Sequence, residues 1–186
     1  MPKSQVYLIP TTLGIIENPS SIIPNSVKEN ILNLNHFVVE NIRESRRYLA
    51  SLGLRDKIES SQFIKINKRE KERGINEASE WLKEGIDIGI LSDAGCPGIA
   101  DPGSEIIKLA HQHNCKVIPL VGPSSILLGL IASGMNGQNF AFHAYLPKEQ
   151  KQRISKIKEL ELESMQIGRT QIFMETPYRN NYLLED

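Results

Sequence analysis

The residues best suited to chemistry lie in one short stretch, SDAGCPGIADPG at 92–103, directly after the apolar run IDIGIL at 86–91. Gly95, Gly98 and Gly103 permit backbone conformations or close approaches that a side chain would obstruct. Asp93 and Asp101 offer carboxylates to a ligand's hydroxyl or ammonium groups, or to the loop's own amides. Two acids discourage a phosphate, and neither GxGxxG nor GxxxxGK[ST] occurs, which removes the usual support for a dinucleotide or nucleoside triphosphate. A purely structural turn competes with the ligand loop. Position favours the loop: in an open α/β sheet, ligands bind beyond the carboxyl ends of the strands.

The elements that must position this loop are legible as alternating periods. Short apolar runs predict strands at 5–10, 36–40, 62–66, 86–91 and 116–120, the last two apolar enough to be covered on both faces. Between them, residues 24–32, 43–52, 76–84 and 103–113 place apolar side chains three and four apart, with Ser26 and Ser104 as candidate caps. Alternation of this kind predicts an α/β fold with a parallel sheet. A second unit is expected from the Gly122-Pro123 break, with a helix at 123–135, a strand at 139–144, a charged helix at 149–164 and a strand at 170–175. The expected domains are therefore 1–121, carrying the glycine-rich loop, and 122–186.

Composition bounds the function. The 186 residues hold 22 Lys+Arg against 22 Asp+Glu, a net charge of zero that argues against non-specific coating of nucleic acid or anionic membrane. Any RNA contact must then be local. KINKREKER at 65–73 is rich in charge of both signs, either a solvated surface or a basic face for RNA. At this length a chain buries roughly 70% of its unfolded surface, enough for one substantial core or two small ones. The N-terminal apolar run is too short for a secretory signal, and Pro119, Gly122 and Pro123 interrupt the run at 117–135 before it could span a bilayer, so a cytoplasmic protein without a membrane partner is expected. Cys96 and Cys115 lack metal-site spacing, and the four histidines are scattered, with His111 and His113 on different faces of a helix; no metal is expected. Without a partnered His, Cys96 reads as an inert small residue rather than a nucleophile.

SDAGCPGIADPG closely resembles the SDAGTPxISDPG signature of the ribosomal small-subunit methyltransferase I family, a branch of the tetrapyrrole (corrin/porphyrin) methylases that 2′-O-methylates a cytidine of 16S rRNA. Further segments resemble the family's motifs in order. YLIPTTLG at 7–14 is similar to YVVPTPIG, VENIRESRRYL at 39–49 to AEDTRxTRxLL, and PLVGPSSILLGLIASGM at 119–135 to PLPGPSAxxxALxxSGL. FAFHAYLPKEQKQR at 140–153 resembles FxFxGFLPxKxxxR, and IFMETPYRNNYLLED at 172–186 resembles IFYESPHRxxxxLxD.

The resemblance implies an S-adenosylmethionine-dependent methyltransferase of two α/β domains with the cofactor in the cleft between them. Carried over by position, Pro10, then Ser92, Asp93, Ala94 and Gly95, and then Ala100, Asp101, Pro102 and Gly103 would bind the cofactor. Gly122, Pro123, Ser124 and Ser125 would join them, as would Ala144 and Leu146, and Glu175, Thr176 and Pro177. Small residues and backbone groups suit adenine and ribose, while carboxylates tolerate a sulfonium cation. The family also implies 16S rRNA or the small ribosomal subunit as partner, and a homodimer.

A ribose hydroxyl is a poor nucleophile, so a base is expected. Glu40, ending the second strand, is the candidate, with Arg43 orienting a phosphate or carboxylate; alternatively Glu40 pairs with Arg43 or caps the following helix. Arg43, Arg46 and Arg47 either engage RNA phosphates or form an ordinary exposed face. The chain departs from the family pattern at Asn41 and Ile42 (for Asp-Thr), at Cys96 (for Thr), at Tyr178 (for His), and at the first-loop Asn, replaced by Ile15 or shifted to Asn18. It also stops soon after METPYR, implying a truncated second domain. A small-molecule, tetrapyrrole-type methylase is the second reading, weakened by the lack of a GDPxxYG-type loop. A non-catalytic protein that binds S-adenosylmethionine or RNA is the third.

Overall fold

The structure, a computed structural model, describes residues 4–67 and 71–186. Lys68, Arg69 and Glu70, the middle of the KINKREKER stretch, lie outside the described residues. The chain divides into two compact units, 1–124 and 125–186, so Gly122, Pro123 and Ser124 fall in the first.

The first unit contains β1 (Gln5–Ile9), α1 (Asn25–Leu32), β2 (His36–Val39), α2 (Ile42–Ser51), α3 (Arg55–Glu59), β3 (Gln62–Lys65), α4 (Lys71–Lys83), β4 (Ile88–Leu91), α5 (Gly103–Gln112) and β5 (Lys116–Pro119). All five strands are parallel, in the order β3-β2-β4-β1-β5. Alternate residues of each strand feed opposite faces. Ile9, Phe37, Val39 and Leu91 pack with Val27, Ile31 and Leu49 on one side. Val6, Val38, Ile64 and Ile90 pack with Leu82 and Ile106 on the other. Each fully buried side chain of this size contributes roughly 1.5–3 kcal/mol of hydrophobic stabilisation.

β4 is buried along its whole length, as its apolar run predicts. β5 differs: among the described residues it pairs only with β1, and as an edge strand it leaves Lys116 and Pro119 exposed. Neither candidate serine caps a helix. Ser26 lies inside α1, which follows Pro24, and Ser104 lies inside α5, which follows Pro102; no side chain caps either one. α4 starts at Lys71, ahead of the predicted Asn76, where Lys71 reaches Glu105 at 3.1 Å. α3 was not expected at all, because none of its residues is buried and it carries no apolar period.

The second unit contains α6 (Ser125–Ser133), β6 (Phe140–Tyr145), α7 (Gln150–Ile167), β7 (Thr170–Met174) and α8 (Asn180–Glu185), with β6 and β7 forming a parallel pair. α7 runs three residues past the predicted end at Ser164. It stops at Gly168, which adopts φ 63° and returns its N–H to the Ser164 carbonyl at 3.0 Å.

Candidate functional site

Register decides which residues meet at the carboxyl edge of the large sheet. Ile9 and Val39 both lie opposite Leu91, so β1, β2 and β4 end level and the next residues, Pro10, Glu40 and Ser92, leave the sheet side by side. Three of the segments singled out from sequence are thereby brought together.

Hydrogen bonds then tie these loops to one another. Thr11 donates its N–H to the Gly95 carbonyl at 2.9 Å and its hydroxyl to the Ser92 carbonyl at 3.2 Å. The buried Tyr48 hydroxyl donates to the Pro10 carbonyl at 2.8 Å, fixing the exit of β1 to α2. Glu40 accepts the backbone N–H of Asp93 at 3.3 Å. Gly122 presses on the Pro10 ring so closely that any β-carbon there would overlap it. Cys96 points its thiol toward the Pro123 carbonyl at 3.4 Å, and burial pushes that thiol up, which opposes a thiolate nucleophile.

The two aspartates of the loop have different occupations. Asp101 accepts the Gly98 N–H at 2.7 Å and the Gly103 N–H at 2.6 Å, so its carboxylate holds the loop's own shape. Asp93 is exposed and makes no hydrogen bond or ion pair through its carboxylate among the described residues. The loop also takes three left-handed residues, Gly95, Gly98 and Ala100, the last at φ 61°. Partial removal from water raises the carboxyls of Glu40, Asp93 and Asp101 above their ordinary range, even though Asp93 is exposed as a residue, and the negative charges of Asp93 and Asp101 raise Glu40 further. An edge where carboxylates repel one another suits a cationic ligand.

Glu40 neither pairs with Arg43 among the described residues nor caps α2. Asn41 is the cap, accepting the N–H groups of Arg43 at 3.0 Å and Glu44 at 3.4 Å. Asn41 therefore keeps a task that the Asp of the family pattern would also perform, since both residues cap well. Arg43 is exposed at the start of α2.

In the second unit, Ala144 lies near the end of β6 and Leu146 just beyond it, and Glu175, Thr176 and Pro177 follow β7; parallel pairing puts both sets at one edge. Ala144 adopts φ 53° at an irregularity in the pairing, where the family pattern has Gly. Despite its burial, Glu175 is held below the usual carboxylate range by the Thr176 N–H at 2.6 Å and the Arg179 guanidinium at 2.9 Å. Ser125 opens α6.

Sequence reasoning missed a cleft of about 250 Å³ beside the loop, lined by the segment after β1 (Leu13, Ile15), by α2 (Arg47, Tyr48) and by Ser92–Ala94. Its walls come from three segments that the sequence marks one by one, at 7–14, 39–49 and 92–103, but only the fold brings them around one cleft.

No family model matches the chain. It is 29% identical over 181 residues, 97% of its length, to ribosomal RNA small subunit methyltransferase I of Vibrio cholerae, and 33% identical over 175 residues to the protein of that name from Bacillus subtilis. The chain resembles ribosomal RNA small subunit methyltransferase I over almost all of its length. It spans 58% and 55% of these two methyltransferases respectively, less than two thirds of either. Among solved structures, uroporphyrin-III-C-methyltransferase of Thermus thermophilus superposes with a TM-score of 0.50 at 16% identity, covering 83% of this chain and 72% of that one. The fold is thus α/β of the tetrapyrrole-methylase kind.

Proposed function

We propose that this chain carries the donor site of an S-adenosylmethionine-dependent methyltransferase that 2′-O-methylates ribosomal RNA of the small subunit, working in the cytoplasm as a homodimer. The observation that carries the proposal is the level ending of β1, β2 and β4, which assembles a glycine-rich loop and mutually repelling carboxylates at one edge. RNA is preferred to a tetrapyrrole as acceptor because the 33% identical relative is named for ribosomal RNA, whereas the tetrapyrrole likeness, at 16%, rests on fold alone.

Bound S-adenosylmethionine supplies a methyl group on a positively charged sulfonium. Ser92–Gly95 and Ala100–Gly103 hold the donor through backbone groups, with the Asp93 carboxylate available to its hydroxyl or ammonium groups. Pro10, Gly122 and Pro123 form the adjoining wall. Asp101 serves by keeping the loop in shape. Glu40 would take up the proton that the acceptor hydroxyl loses on methylation. Its raised carboxyl is a stronger base than an ordinary glutamate, and such a base adds on the order of 10² to 10⁴ in rate. Arg43 and its neighbours meet the RNA backbone. Methyl transfer from labelled donor to 30S subunits tests the reading: incorporation that is lost in Glu40→Gln supports it, and no incorporation by a folded protein that binds the donor contradicts it.

A further inference from the structure

We infer that the cleft between the segment after β1 and α2 receives a single unstacked nucleotide of the RNA acceptor, with the ring on Leu13 and Ile15 and the phosphate on Arg47 and Arg43. This rests on the methyltransferase reading above and assigns its acceptor a place.

Three features of the cleft converge on that occupant. Its mouth is apolar and open to water: Leu13 is 40% and Ile15 97% exposed, above a base formed by the buried Thr11, Ser45, Tyr48 and Ser92. Exposed aliphatic side chains beside a cleft offer a face to a flat ring. Its rim is basic. Arg43 and Arg47 are separated by one helical turn on α2, so they share a face. Arg46 is turned aside, over the Phe63 ring at 5.2 Å. Arg47 reaches Glu44 at 2.9 Å, but both side chains are about half exposed, so the pair is worth little in water and a phosphate can replace the carboxylate. Third, Ser92, Asp93 and Ala94 form one wall of the cleft and also belong to the proposed donor loop. A group transfer needs two sites with a common wall, and Glu40 touches that wall through the Asp93 N–H.

Size and charge exclude a broader contact. About 250 Å³ accommodates one nucleotide unit and not a duplex, and sequence-selective RNA recognition works on bases splayed from single-stranded segments. A chain with no net charge cannot hold RNA by bulk attraction, so its phosphate contact must be local, through the arginines of α2 on the side of the cleft away from Asp93.

The test compares the wild-type chain with Ile15→Asp and Arg47→Gln, both changes at exposed positions that leave the core intact. Affinity is measured for a labelled, cytidine-containing single-stranded RNA oligonucleotide and, separately, for S-adenosylhomocysteine. The inference expects both variants to bind the RNA several-fold more weakly with unchanged S-adenosylhomocysteine affinity. Arg47→Gln should also lower the slope of log affinity against log salt by about 0.7, the value for one phosphate contact on a single strand. RNA binding that is absent in the wild type or unmoved by both substitutions overturns the inference. So does an Ile15→Asp variant that loses S-adenosylhomocysteine instead, because the cleft would then belong to the donor. A wild-type chain that binds the RNA but not S-adenosylhomocysteine overturns the methyltransferase reading and leaves the RNA site standing.

Discussion

Glu40 accepts the N–H of Asp93 at 3.3 Å, joining the end of β2 to the loop after β4 across 53 positions of sequence. Burial raises the Glu40 carboxyl, and Asp93 and Asp101 raise it further, while the Asp93 N–H works in the opposite direction. A carboxyl raised in the folded state gives stability that is full below its unfolded pKa and is lost as pH rises through the folded one. Glu40→Gln should therefore gain on the wild type as pH rises from the ordinary carboxylate range through the raised value. Urea midpoints of the two proteins across pH measure this. Midpoints that differ by a constant amount at every pH would show that Glu40 is not strained by its charge. The same substitution should lower methyl transfer on the order of 10² to 10⁴.

Asp101 and Asp93 should separate stability from binding. Asp101→Asn keeps one acceptor oxygen for two loop amides, and leaving one of them unsatisfied costs about 1–3 kcal/mol. Thermal unfolding should show this loss. Asp93→Ala should unfold no earlier than the wild type, since the Asp93 carboxylate makes no hydrogen bond among the described residues and its charge is disfavoured in the fold.

Tyr48→Phe removes the only side-chain donor seen on the Pro10 carbonyl among the described residues and leaves that buried oxygen unpaired. A loss of about 1–3 kcal/mol in unfolding free energy is expected. A neutral result would mean that water replaces the hydroxyl at the exit of β1.

Ala144 is held at φ 53°, a conformation that costs an L-residue about 1–2 kcal/mol and glycine almost nothing. After the greater chain entropy of glycine is offset, Ala144→Gly should be stabilising by up to about 1 kcal/mol. Ala141→Gly in the same strand, where φ is not positive, should instead destabilise by about 0.5–1 kcal/mol. Denaturant midpoints of the two variants moving in the same direction would contradict the assignment.

These positions also mark what sequence could and could not disclose. β4 was legible because a strand covered on both faces must be apolar throughout, and IGIL is. β5 looked alike in sequence but lies at the edge of the sheet, a difference set by strand order and invisible to periodicity. The glycine loop was legible as a loop beyond the carboxyl end of β4, but its two aspartates looked equivalent; only the folded loop shows Asp101 turned on its own amides and Asp93 facing solvent. Asn41 stands in sequence only as a departure from the family's Asp; its role as the cap of α2 shows in the fold. Tyr48 and Pro10 stand 38 positions apart, and nothing local to either residue announces their bond.

The most direct measurement is isothermal titration of the chain with S-adenosylhomocysteine, repeated on Asp93→Ala. The account predicts saturable binding at one site by the wild type, and weaker binding by a variant that unfolds at no lower temperature. A folded wild-type chain that takes up no S-adenosylhomocysteine, or a variant that binds it equally well, would contradict the assignment of this loop to the methyl donor.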